Sequence, residues 1–236
     1  MNPKARFNYG YLVVVASTLI ILVGFGIYYS YSVFFDPLLK EFGWTRAQTS
    51  GAFSLATFVS RALGILAGKL SHRIGPKIVC IFAGLFLGLG YILMSVVSTT
   101  WQVYLIYGIL LAIGICGLWP AAVSTVARWF VEKRGLMTGI VTAGNGIGNV
   151  AFSPFLSHLI NSYTWRWAYV IAGIITAIFI VSAAFFLKRK NYSSIVKSAP
   201  SSGISNPSEK DLTYKQALKT KSCWLLAAIF FLFGYA

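Results

Sequence analysis

Acidic residues are scarce in this chain: five Asp and Glu stand against twenty Lys and Arg in 236 residues. All charged residues together make up 11% of the sequence, where soluble domains carry about 25%. Histidine is limited to His72 and His158, and cysteine to Cys80, Cys116 and Cys223, at separations that match neither metal-ligand nor redox spacing. No Asp or Glu occurs between Lys133 and Ser208. Such a composition offers no metal cluster, no disulfide framework and no pair of carboxylates for acid/base chemistry. An enzyme and a bound metal or cofactor are therefore not expected, and the cysteines read as small packing residues.

What the chain has instead is apolar length. Hydrophobic residues make up 57% of it and mean hydropathy is +0.73. A helical span needs about 20 apolar residues. Six runs meet this, at roughly 9–34, 47–68, 78–97, 101–127, 136–158 and 166–187, and a seventh starts at Ser222 and reaches Ala236. The first run is too long for the core of a secretory signal, so it is expected to remain as a span.

The basic surplus alternates between connections. Sixteen Lys and Arg fall in the amino-terminal tail, the second and fourth connections and the stretch from Lys188 to Lys221, against three in the remaining connections. The positive-inside rule then places the amino terminus and the 188–221 stretch in the cytoplasm of a multi-pass plasma (cytoplasmic) membrane protein. Topology accounts for the charge, so no nucleic-acid partner is expected. Lipid is the partner of the spans, and anionic headgroups suit the basic loops.

Residues 188–221 contain the Ser/Pro-rich SSIVKSAPSSGISNPSEK, which suits a flexible linker. The organisation expected is a six-helix transmembrane bundle over 1–187, a basic cytoplasmic linker over 188–221, and an incomplete seventh helix over 222–236. The fold class is all-α.

Residues 129–148, WFVEKRGLMTGIVTAGNGIG, run from a charge cluster into five glycines, Gly135, Gly139, Gly144, Gly146 and Gly148. Their spacing does not fit G-x-G-x-x-G, and the acid that a dinucleotide site needs about 20 residues on is missing. On a helix, Gly135, Gly139, Thr142, Gly146, Asn149 and Ser153 share one face, and Gly144 with Gly148 form a second small surface. Small residues let membrane helices approach closely, so Gly139 and Gly146 are expected at a close helix contact. Arg61 is the one cation inside a span. Ser54, Thr57, Arg61, Gly64 and Gly68 recur at steps of three and four, which aims Arg61 into the bundle, either as an anion-attracting charge or as a snorkelling structural cation.

Several stretches carry a resemblance. The loop Gly68-Lys69-Leu70-Ser71-His72-Arg73-Ile74-Gly75-Pro76-Lys77 is similar to the motif G-x-x-x-D-R-x-G-x-[RK] that follows the second helix of the major facilitator superfamily. ARWFVEKRGLMTGIVTAGNGIG, YYSYSVFFDPLLKEFGWTRAQTSGAFSL and LKTKSCWLLAAIFFLFGYA resemble its monocarboxylate-transporter-like and oxalate/formate-antiporter-like group. The resemblance implies twelve helices in two six-helix halves, of which this chain corresponds to the amino-terminal half plus the start of the seventh helix. The partner so implied is the missing carboxy-terminal half. Gly68, His72, Arg73, Gly75 and Lys77 would form the gating loop, with His72 standing where the motif has an acid.

The function implied is secondary transport of a small monocarboxylate or related organic anion by alternating access, as antiporter or symporter. A membrane-embedded sensor or scaffold, or a carrier of another solute class, are the alternatives. In the first span Gly24, Tyr28, Tyr31 and Phe35 share a face, with Tyr29 and Ser30 beside it. Tyr29, Ser30 and Tyr31 match the group's cavity-lining aromatic segment. Candidate substrate contacts are thus Tyr28, Tyr29, Ser30, Tyr31, Arg61, Trp119, Asn145 and Asn149. All five acids lie in connections or at span ends, so a proton carrier is expected in the other half, on a histidine or on the substrate.

Overall fold

The computed structural model describes residues 3–188. The linker expected beyond Lys188 and the seventh helix expected from Ser222 lie outside the described residues. Within them, regular structure is helical: α1 (Pro3–Tyr29), a 3-10 segment (Ser30–Phe34), α2 (Phe35–Phe42), α3 (Arg46–Ile74), α4 (Pro76–Met94), α5 (Thr100–Val103), a π segment (Tyr104–Leu111), α6 (Ala112–Cys116), α7 (Leu118–Trp129), α8 (Arg134–Ser162) and α9 (Trp165–Phe185). These form six rods, since α1 runs on into α2 and α5 runs on through α7. The rods outrun the apolar stretches at several ends, because amphipathic turns continue a helix past its hydrocarbon-length core.

Local chemistry sets the breaks. Thr45 and Gln48 form a reciprocal capping box at the start of α3, with bonds of 2.9 and 3.2 Å. Between α3 and α4 the chain turns on one residue, Gly75, at φ 96° and ψ 152°, a conformation closed to side chains, and Pro76 then opens α4. The glycine and proline of the loop motif are therefore requirements of the turn. In the first rod the α-helix tightens to 3-10 winding after Tyr29, and the freed Tyr28 carbonyl accepts a 2.7 Å bond from the Tyr107 hydroxyl.

By length and apolarity Tyr9–Phe42, Pro76–Met94, Thr100–Trp129 and Trp165–Phe185 can cross a bilayer. The two parts of α3, Arg46–Gly64 and Leu66–Ile74, add a fifth span if their 49° bend is counted within one helix. At 29 residues α8 is long enough, but Gly, Asn, Ser and Thr dilute its hydropathy. It is held to the bundle by its packing along α1.

Two glycine crossings organise that packing. A Cβ on Gly26 of α1 would lie 2.7 Å from the carbonyl carbon of Gly148 in α8, and one on Gly144 would lie 3.0 Å from the Thr18 oxygen. In α4, a Cβ on Gly88 would lie 3.0 Å from the Gly173 oxygen of α9. At Gly135, Gly139 and Gly146 an added Cβ meets nothing within 4 Å. Within the described bundle the contact face of α8 is thus the Gly144/Gly148 surface, and Gly139 and Gly146, expected at a close helix contact, meet no neighbour there. Two residues along a helix is a turn of about 200°, so Gly146 points away from the neighbour that Gly144 and Gly148 meet.

The two ends of the bundle differ in charge. At one, Glu41 accepts from the Trp165 indole and from Arg166, 2.8 Å away; Arg166 also donates to the Ser95 carbonyl at 2.8 Å. At the other, Arg128 reaches the ring nitrogens of His72 at 2.9 and 3.1 Å, Lys77 lies 4.4 Å over the Phe185 ring, and the Trp129 indole donates to the Lys188 carbonyl at 2.9 Å. Ends of rods 1 and 3 meet the start of rod 6 at the first end. The turn between rods 2 and 3 meets the ends of rods 4 and 6 at the second. Successive rods therefore run in opposite directions.

Candidate functional site

An aromatic wall crosses three helices. The Trp119 ring of α7 meets Phe25 of α1 edge-on at 5.5 Å, Phe25 stacks on Tyr29 at 6.0 Å, and Tyr29 reaches Phe53 of α3 at 6.2 Å. Trp119 is 39% exposed, and Phe25, Tyr29 and Phe53 are half-buried. Aromatic rings of this kind offer rigid apolar surface with a polar tip at Tyr and Trp. Phe25 and Phe53 were not singled out from the sequence. The signal for Phe25 was its place four residues before Tyr29, on the same helical face.

Tyr28 leans on the same α3 segment, its ring 5.5 Å from Phe53. It is 2% exposed, and its hydroxyl has no hydrogen-bond partner among the described residues. Thr57, Ser60 and Arg61 lie about that hydroxyl. Thr57 and Ser60 direct their own protons to helix carbonyls, Phe53 at 3.0 Å and Thr57 at 2.9 Å, so they are free to act as acceptors. Arg61 is exposed and has no ion pair among the described residues. The stripe foreseen on α3 is open, since Gly64 and Gly68 also meet nothing within 4 Å.

The other candidates divide by placement. Tyr31 is buried: its hydroxyl donates to the Thr49 carbonyl at 3.0 Å, and its ring stacks on Phe53 at 5.9 Å and lies 4.1 Å from Tyr107, so it ties the 3-10 segment to α3 and the fourth rod and backs the wall from its core side. Ser30 is also buried. Its hydroxyl donates to the Gly26 carbonyl at 2.7 Å and lies 3.0 Å from the Ser153 hydroxyl. Ser153 in turn lies 2.9 Å from the Asn149 side-chain oxygen. Two hydroxyl protons serve these three contacts, so only two are hydrogen bonds at one time. Asn149 is exposed, on the stripe side of α8 away from the glycine crossing, and Asn145 is half-buried, between the two faces. Of the described acids, Asp36 and Glu41 lie in the last two turns of the first rod and Glu132 in the turn between α7 and α8.

In the loop motif, His72 and Arg73 are exposed and His72 is engaged by Arg128. A carboxylate there would make a charge pair with Arg128, whereas a neutral imidazole gives it one acceptor nitrogen. The substitution of His for the acid thus weakens the link between the α3–α4 turn and α7.

Comparison with known proteins extends these observations over nearly the whole chain. It is 26% identical over 235 residues to the oxalate:formate antiporter of Oxalobacter formigenes, an alignment covering 98% of this chain and 54% of that protein. It is 27% identical over 169 residues to monocarboxylate transporter 13 of Rattus norvegicus and 28% identical over 169 residues to human monocarboxylate transporter 11. Each of those alignments takes in 72% of this chain, and 40% and 36% of the respective relative. The chain spans about half the length of the curated relatives it matches, or less. Residues 16–236 match the family model described as the Major Facilitator Superfamily, and with the helical bundle above this makes the chain a member of that superfamily.

Proposed function

We propose that the protein carrying this chain is a secondary transporter that moves a small monocarboxylate or related organic anion by alternating access, two helical bundles rocking about a midplane site. The observation that carries this reading is the open aromatic wall from Trp119 to Phe53, with Arg61 two helical turns beyond Phe53 on α3. The rings would hold the apolar body of the anion and exclude water, while Arg61 and the unspent Tyr28 hydroxyl would favour its carboxylate. The names of the relatives agree in substrate class. The open stripe of α8 and the first part of the α3 stripe, from Ser54 to Arg61, would face the second bundle, where the small residues of α8 permit close approach. As described, the bundle has no acid to relay protons inside a span, so coupling, if to protons, would use the second half or the substrate.

Exchange in proteoliposomes containing the full-length gene product tests the reading. Saturable counterflow of radiolabelled formate, oxalate or lactate is expected, with no counterflow of a neutral sugar. If none of the anions exchanges, the reading is overturned.

We propose further that the basic end of the bundle is cytoplasmic, on the strength of the sixteen-to-three division of Lys and Arg. In a cysteine-less background, Lys133→Cys is expected to react with a membrane-impermeant maleimide only from the cytoplasm and Lys40→Cys only from outside. Reaction of both from one side would overturn the topology.

A further inference from the structure

A groove of about 1250 Å³ runs beside the second half of α3, with α4 as its other wall and α6 as its floor. Leu66, Leu70 and Ile74 line it from α3, Phe82 and Phe86 from α4, and Ile113 from α6. Each of these is more than a third exposed. The 49° bend of α3 at Ile65 swings its last turns relative to the first part and accompanies the opening. From Leu63 to Ile74 the helix rises about 17 Å, close to the depth of one leaflet of a hydrocarbon core about 30 Å thick.

The groove's polar lining is confined to the basic end of the bundle. Lys69, His72 and Arg73 line it there. Arg128 occupies His72, but Lys69 and Arg73 have no ion pair or hydrogen bond among the described residues. The salt bridge of the described bundle, Glu41 with Arg166, lies at the opposite end. An apolar channel one leaflet deep with two unpartnered cations at its mouth has the form of an amphiphile whose head is negative. We infer that the groove binds one anionic phospholipid of the cytoplasmic leaflet, its acyl chain between α3 and α4 and its phosphate against Lys69 and Arg73. The choice of leaflet rests on the topology proposed above; the binding itself does not. Because the site is built on the loop that turns α3 into α4, and Arg128 links that loop to α7, an occupied groove would steady the turn during conformational exchange.

The test uses the intact protein in vesicles with labelled lipid in both leaflets, so that neither a reversed topology nor an absent transport activity alters the readout. Photoactivatable phosphatidylglycerol and phosphatidylcholine, each with a diazirine in the acyl chain, are compared at equal mole fraction, and adducts are mapped by peptide mass spectrometry. Phosphatidylglycerol is expected to label residues 63–74 and 82–86 about 25-fold more than phosphatidylcholine, since each of the two cations near an anionic headgroup contributes about fivefold. On the exposed α9 residues Ile178 and Phe179, away from the Lys77 ammonium over Phe185, the two lipids should label alike. Lys69→Gln/Arg73→Gln should bring the two lipids within about twofold in the groove, while Lys69→Arg/Arg73→Lys keeps the preference. Equal labelling of the wild-type groove by both lipids would reduce it to ordinary annular contact and overturn the inference. Labelling of α9 with none in the groove by either lipid would also overturn it, by showing that a protein segment covers the site.

Discussion

Gly148→Leu is expected to leave little folded protein, while Gly146→Leu, two residues earlier, leaves the bundle intact. At position 148 the side chain would have to enter the space held by the α1 backbone at Leu22 and Gly26, and at Gly26 the two backbones already approach so closely that a Cβ would lie 2.7 Å from Gly148. Backbone cannot swing aside as a side chain can. Overpacking a filled interior costs about 1–3 kcal/mol when side chains can yield, and more when they cannot. Since the α1–α8 contact is among the most extensive in the bundle, separating these helices removes a large share of its packing. Gly146 faces open space in the described bundle, so leucine there adds surface without collision. Size-exclusion profiles and melting temperatures of the two variants in detergent provide the measurement. Gly148→Ala should fall between them. Indistinguishable profiles for the two leucine variants would show that α1 and α8 do not cross at these glycines.

The contrast between positions 146 and 148 also shows what the sequence could convey. The Thr45 cap and the turn on Gly75 are local features, but were not singled out from the sequence. The six apolar runs are local too, and each lies along one of the six helical rods, although α8 is too dilute in hydropathy to count as a span. The two small-residue stripes of α8 were equally visible, but spacing identifies a face and not the neighbour that meets it. Close packing on α1 depends on Thr18, Leu22 and Gly26, more than a hundred residues away in the chain. In the first span, counting faces at about 100° per residue groups Tyr28 with Tyr31 and Phe35, and the fold keeps that group together: Tyr28 and Tyr31 are both buried against Tyr107 and Phe53, and Phe35 lies on Tyr31. Spacing did not say that this face is the buried one, and that Tyr29, four residues after Phe25, stands on the open wall. Phe53 belongs to that wall only through a contact between helices, so no local pattern could have marked it.

In the complete transporter, Arg61→Gln is expected to lower the efficiency of anion exchange about 10- to 100-fold, with expression held comparable, which is the range for losing a hydrogen-bonded contact to a charged group. The expectation follows from where Arg61 sits: on an open stripe, near the buried Tyr28 hydroxyl that lacks a partner, and without an acid to neutralise it among the described residues. A cation in that position raises the local potential for a carboxylate and offers two parallel donors to it. Arg61→Lys separates the two contributions, because lysine keeps the charge and loses the planar fork. Recovery of most of the rate by lysine would mark an electrostatic role, and recovery of little would mark a bidentate one. Tyr28→Phe supplies the complementary measurement. If its hydroxyl completes the carboxylate contact, its loss should raise KM for the anion, whereas a role confined to the Thr57 and Ser60 hydroxyls beside it would lower the melting temperature and leave KM unchanged. Normal exchange by Arg61→Gln would instead make Arg61 a structural cation, and anion binding would then fall to the second bundle, with this one supplying the aromatic wall.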